Sequence, residues 1–218
     1  MSSRQPSHRF SITEVRGYVL AGGQSRRMGT DKALIPVNGE TAVERQCRLL
    51  EPLCPQGVFV AGARFAPAPD FPWHVIQDPT PDSGPITGIL SALRHAQRGI
   101  ALIVAVDLWS LTADTIAAVV QAMTIQSSPD HGSVEEDEFD LSYAHNAADP
   151  SLMGAQPLCA AWRVETSLPI VAEQFDQGER SVMRAWSKLH RHPVLVSESH
   201  IANINTPSDM ENFRQVKG

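Results

Sequence analysis

The chain has 218 residues and a formal charge of −6. That length suits one large domain, which buries about 70% of its unfolded surface and needs no disulfide or metal to stand. The acidic balance argues against a general nucleic-acid binder, no apolar run reaches the roughly 18 residues of a membrane helix, and three cysteines (Cys47, Cys54, Cys159) without a C-x-x-C pair point to a reducing, cytoplasmic setting.

Residues 1–16, MSSRQPSHRFSITEVR, are polar with no apolar h-region and read as a flexible leader. Residues 17–218 then form a single domain. YVLA (Tyr18 to Ala21) is a first strand leading into a glycine- and cation-rich loop. ETAVERQCRLL reads as a helix with Val43, Cys47 and Leu50 on one face, stopped by Pro52 and Pro55. GVFVAGA and WHVIQD are further strands, followed by the turn-rich PTPDSGP. ITGILSALRHA is a helix with Ile86, Ile89, Leu90 and Leu93 inward. GIALIVAVD is a near-continuous apolar run, the mark of a strand buried on both faces of a parallel sheet. TADTIAAVVQAM is a helix that Thr112 would cap. The acidic stretch from Ser127 to Asp140 reads as a solvated loop. Beyond it DLSYA, QPLCAAW and PVLVS look like strands, SLPIVAEQF and SVMRAWSKL like helices. The alternation predicts a Rossmann-like α/β fold of three layers, a mostly parallel central sheet with helices on both faces. Ligands in such sheets bind outside the carboxyl ends of the strands.

The loop VLAGGQSRRMGTDKAL is therefore the first place to look for chemistry. It is not a P-loop, because Thr30 rather than Lys follows Gly29 and Ala33 follows Lys32, and it lacks the G-x-G-x-x-G dinucleotide fingerprint. Gly22 and Gly23 carry no Cβ, so backbone N–H groups can approach a nucleotide. Arg26, Arg27 and Lys32 can neutralise a polyphosphate. A glycine turn with surface cations would have the same composition.

LAGGQSRRMGTDKAL resembles the signature L-A-G-G-x-S-x-R-M-G-x-D-K of the molybdenum cofactor guanylyltransferases (the molybdopterin-guanine dinucleotide biosynthesis protein A family), among the sugar-phosphate-type nucleotidyltransferases. VIQDPTPDSGPITGILSAL, the strand end at Asp107, QPLCAAW, GERSVMRAW and NINTPSDM match further stretches in order. The resemblance runs from Leu20 to about Phe213. It implies the nucleotide-diphospho-sugar transferase type of fold. It also implies transfer of GMP from GTP to the terminal phosphate of molybdopterin, with release of pyrophosphate. Molybdoenzymes or their chaperones would receive the product, and neither nucleic acid nor membrane would take part.

The same resemblance places GTP on Leu20, Ala21, Gly22 and Gly23, with Arg27 and Lys32 on the triphosphate and Arg26 in support. Asp31 would orient Lys32. Asp78, at a strand end, would accept hydrogen bonds from guanine or ribose. Gly84, Pro85 and Gly88 would let a helix N-terminus approach the ligand. Asp107, a lone carboxylate after seven apolar residues, would hold magnesium, or manganese, since such an ion takes one or two protein carboxylates and fills its shell with phosphate oxygens and water. Asn203 and Asn205 would hold molybdopterin, as would Arg180 and Arg184, four apart on a helix face. The attacking phosphate has a second pKa near 6 and is mostly ionised at neutral pH, so no strong general base is required. Histidines such as His74, His95 and His145 then read as structural or exposed. Two positions depart from the family pattern. Leu108-Trp109 follows Asp107 in place of Met-Pro or Thr-Pro, so the tryptophan could stack on a ligand ring or block one. Ala61 stands where an asparagine is usual. The competing readings are a molybdopterin cytidylyltransferase or another nucleotidyltransferase of the same fold, and a GTP-binding regulator without turnover.

Overall fold

The computed structural model describes residues 12–21, 32–37, 39–62, 70–77, 84–125 and 139–203. β1 (Val15–Leu20) comes first. A hairpin of β2 (Pro36–Val37) and β3 (Glu40–Thr41) precedes α1 (Ala42–Leu50). Then follow β4 (Val58–Ala61), β5 (His74–Ile76), α2 (Pro85–Ala96), β6 (Ile100–Ala105) and α3 (Ala113–Ile125). The last third contains β7 (Leu141–Asn146), β8 (Ala155–Arg163), α4 (Val164–Asp176), α5 (Val182–Ala185), β9 (Arg191–Val196) and α6 (Glu198–Ile201).

Seven of these strands form one sheet in the order β5-β4-β1-β6-β8-β7-β9. β8 runs antiparallel to both its neighbours, β6 and β7, and every other pairing is parallel. β6 lies in the middle, and all six of its residues are buried. Leu102 and Val104 face one core with β1 residues Val15 and Val19, under α1 and α3. Ala101 and Ile103 face the other with Tyr18 and Leu20, under α2, α4 and α5. A strand packed on both faces has no polar side to present, which is why its sequence does not alternate. The three-layer expectation holds.

The helices start where their caps dictate. Thr41 and Glu44 form a reciprocal capping box at α1, the Thr41 N–H donating to Glu44 Oε2 at 2.7 Å. Thr112 Oγ1 accepts from the N–H of Thr115 at 3.2 Å before α3. Val43, Cys47 and Leu50 are fully buried, as are Ile86, Ile89, Leu90 and Leu93 to within 2%.

Three boundaries differ from expectation. Ile12–Glu14 form a 3-10 turn, and Val15 and Arg16 already belong to β1. The domain therefore begins before residue 17, because Val15 pairs with Ile100 and is fully buried; residues 1–11 of the leader lie outside the described residues. The helix expected over SVMRAWSKL is α5 followed by a separate 3-10 turn, Trp186–Lys188. The tighter turn brings Trp186 into the core, against Tyr143 and Trp162. The acidic stretch lies outside the described residues up to 138, but Asp140 is already structured, accepting from the His190 N–H at 2.9 Å.

Candidate active site

β1 and β6 are neighbours whose connections leave on opposite sides: β1 leads through α1 to β4, and β6 is reached through α2 on the other face. This is the switch point of the sheet, where the carboxyl ends of two strands open a crevice. Leu20 pairs with Ala105. The Val106 N–H donates to the Leu20 carbonyl at 3.2 Å, and the Ala21 N–H to the Ala61 carbonyl at 2.9 Å. Leu20 and Ala21, both buried, therefore lie between the ends of β4 and β6. Gly22, Gly23, Arg26, Arg27 and Asp31 lie outside the described residues. The chain returns in a 3-10 turn, Lys32–Leu34, that packs against α1 through the buried Ala33.

Asp107 follows β6 by two residues and is half-buried. Its backbone sits in a turn that α1 holds from outside. Gln46 Nε2 donates to the Leu108 carbonyl at 2.6 Å, and Arg45 to the Leu111 carbonyl at 3.2 Å. Leu108 and Trp109 are both in the core, at 0% and 2% exposure. Trp109 packs with the core cluster on the α1–α3 side of the sheet. The sequence reading missed Gln46 and Arg45. The available signal was Gln46 itself, a polar residue three positions from Val43 on the apolar side of α1.

Among the described residues no three His, Cys, Asp or Glu side chains cluster as a metal cage. A single carboxylate at the rim of a crevice does fit magnesium carried on nucleotide phosphates, because that ion keeps most of its shell for phosphate and water. It does not fit a closed structural zinc site, which takes four protein ligands.

α2 begins at the same rim. Its N-cap, Gly84, has φ 85° and ψ −178°, a region essentially reserved for glycine. Pro85 occupies the first turn, and Thr87 Oγ1 donates to the Gly84 carbonyl at 2.7 Å. A Cβ on Gly88 would lie 3.1 Å from Leu20 Cδ2, so glycine there sets how closely α2 approaches the end of β1. Asp78, on the loop before α2, lies outside the described residues.

Arg180 and Arg184 do not share a helix face. Arg180 precedes α5, donates to the carbonyls of Phe175 (2.7 Å) and Glu179 (2.9 Å), and lies 3.9 Å over the Phe175 ring. Arg184 Nε donates to Glu179 Oε2 at 2.6 Å. That bond, with the backbone N–H of Ser181, lowers the Glu179 carboxyl to about 2. Both guanidinium groups staple the turn between α4 and α5, and Arg184 remains largely in solvent.

Asn203 is exposed after α6, and Gln156 Nε2 donates to its Oδ1 at 3.2 Å; Asn205 lies outside the described residues. The three named histidines have structural surroundings. His95 Nδ1 meets Tyr18 Oη at 3.0 Å, and burial, then His74 and Arg16, lower its pKa. His74 lies edge-on to Phe59. His145 Nε2 donates to the Asp149 carbonyl at 2.7 Å. Ala61 is fully packed at the end of β4, its carbonyl engaged by Ala21.

The family described as MobA-like NTP transferase domain matches residues 17–206. A protein of Chloroflexus aggregans named "Probable molybdenum cofactor guanylyltransferase" is 32% identical over 206 residues, 89% of this chain and 91% of that one. The crystal structure of molybdopterin-guanine dinucleotide biosynthesis protein A from Archaeoglobus fulgidus superposes with a TM-score of 0.66 at 20% identity, covering 92% of this chain and 97% of that one. A 2-C-methyl-D-erythritol 4-phosphate cytidylyltransferase from Thermus thermophilus superposes with 0.65 at 12% identity, covering 91% and 96%. The two structures share the fold with different nucleotides in their names, so the fold by itself does not choose the base. Among the described residues no helix is long and apolar enough to cross a membrane. With its motifs in order along nearly the whole length, the chain belongs to the MobA-like NTP transferase family of nucleotidyltransferases.

Proposed function

We propose that this chain transfers GMP from GTP to the terminal phosphate of molybdopterin, releasing pyrophosphate and forming the guanine dinucleotide cofactor. The observation that carries this reading is the junction of β1 and β6, where the Val106 N–H bonds the Leu20 carbonyl, so that Ala21 and Asp107 follow the carboxyl ends of one parallel strand pair. In the reaction an oxygen of the molybdopterin phosphate bonds to the α-phosphorus of GTP, and the bond from that phosphorus to the β-phosphate oxygen breaks. Pyrophosphate carries the electron pair away. Positioning and charge stabilisation supply most of the rate.

Gly22 and Gly23 would bring backbone N–H groups to the nucleotide beside Leu20 and Ala21, whose own backbone is tied into the sheet, and Arg27 and Lys32 would balance the triphosphate charge. The N-terminus of α2, opened by Gly84, favours negative charge nearby, and Asp78 would read guanine or ribose from the preceding loop. Asp107 would hold magnesium, or manganese, which when bound offsets charge building on the phosphate oxygens. Asn203 and Asn205 would face the acceptor. The three buried free thiols, Cys47, Cys54 and Cys159, suit a cytoplasmic protein, and molybdoenzymes or their chaperones would take the product.

LAGG and GPITG favour guanine over cytosine in the family pattern. Purified protein with GTP, magnesium and anaerobically prepared molybdopterin should release pyrophosphate and form the dinucleotide, with CTP far less effective. Equal or better turnover with CTP would establish the cytidylyltransferase instead. GTP bound tightly without pyrophosphate release would establish a regulator.

A further inference from the structure

Gln156 lies three residues beyond the last β6–β8 pair, Val104↔Cys159, and Asp107 lies three beyond it on the other strand. The two strands run antiparallel, so Gln156, near the start of β8 and paired with Ala144 of β7, lies toward the same end of the sheet as Asp107. Its side chain amide is oriented by groups that allow only one choice. Nε2 donates to the Ile201 carbonyl at 3.2 Å, and Oε1 accepts from the Leu158 N–H at 3.4 Å. A carbonyl only accepts and a backbone N–H only donates, so the nitrogen must face α6. That same nitrogen meets Asn203 at 3.2 Å, and Asn203 must answer with its oxygen.

We infer that Gln156 is a positioning residue that fixes the polarity of the Asn203 amide, turning its Nδ2 hydrogens away from Gln156 as donors for the terminal phosphate of the acceptor. The inference rests on the proposed guanylyl transfer and adds a determinant of acceptor binding. An asparagine free to rotate could present either end. One held by its oxygen presents only donors, the pole an ionised phosphate requires. Gln156 acts through Asn203 and touches no reacting atom.

Steady-state kinetics with GTP and anaerobically prepared molybdopterin test this in the full chain. Gln156→Glu replaces the donor by an acceptor, which would draw the Asn203 hydrogens toward itself. The acceptor KM should rise about tenfold, the scale of a hydrogen bond lost to a charged group, and Asn203→Ala should match it. Gln156→Met, which releases the Asn203 amide together with the Ile201 carbonyl and the Leu158 N–H, should raise it about threefold. The KM for GTP and the circular-dichroism spectrum should stay at their wild-type values in all three. In the Asn203→Ala background neither Gln156 change should add anything, because its effect travels through the missing amide.

An unchanged acceptor KM in Gln156→Glu and Gln156→Met would overturn the inference. So would a parallel rise in the KM for GTP, or a full extra effect of Gln156→Glu without Asn203, which would be plain repulsion of the phosphate. If Asn203→Ala binds the acceptor normally, the inference falls while guanylyl transfer stands. If the wild-type chain transfers no GMP, the functional reading falls and takes the inference with it.

Discussion

Asp107 ends a run of seven apolar residues, and an ionised group at the end of a buried strand needs a counter-charge or a ligand. That makes it readable without coordinates, and the structure puts it at the mouth of the crevice. Asp107→Ala and Lys32→Ala should each lower kcat by about 10²–10³, the scale of losing one electrostatic contact to the transition state, with an unchanged circular-dichroism spectrum. Near-normal guanylyl transfer in either variant would remove its assigned role. Glu179 gives a pH test. Its carboxyl is lowered from 4.5 to about 2, first by Arg184 and then by the Ser181 N–H. A depressed folded-state value means the stabilisation is present above pH 4.5 and is lost as the pH falls through about 2. The difference in urea midpoint between wild type and Glu179→Gln should accordingly be positive at about pH 6 and shrink steadily below pH 4.5. It should be small throughout, because Arg184 is largely in solvent, 73% exposed. A difference that grew on acidification would contradict the pairing.

α2 shows how one element serves both stability and binding. Its first residue is a proline, its cap is a glycine at positive φ, and its second glycine meets Leu20. Gly84→Ala forces a side chain into a glycine-only region and should cost about 1–3 kcal/mol in urea denaturation. It should also raise the KM for GTP, since the helix terminus turns with its cap. Stability lost without any change in that KM would make Gly84 purely structural. α1 works differently: its capping box is a local signal that can be read four residues at a time, whereas its contacts to the turn after Asp107 span 62 residues for Gln46 and 66 for Arg45. The break after α5 is of the second kind, because Trp186 at its start packs against Tyr143 and Trp162, far away in the chain.

The strand order of the whole molecule opens the crevice at the carboxyl ends of two interior strands, β1 and β6, of a seven-stranded sheet. GTP that binds the folded state alone stabilises it by mass action, and at a hundred times its Kd the melting temperature should rise about 5–10 °C. CTP at the same concentration should produce little shift, and a chelator should diminish the GTP effect by removing the ion proposed at Asp107. An equal shift with CTP would argue that the crevice does not select guanine.

From its sequence alone the chain was readable as three layers, since the period of its apolar residues and its turn-forming residues are local properties that the backbone obeys wherever it lies. The first loop motif and the solitary Asp107 were readable for the same reason: their chemistry is carried by residue types at fixed short spacings. What only the tertiary structure decided is which polar groups meet across long separations. Trp109 went to the core, Arg180 and Arg184 to the turn between α4 and α5, and Gln156 to Asn203, 47 residues away. Such pairings depend on the order in which strands lie beside one another, and strand order is a property of the folded sheet that no short window of residues contains.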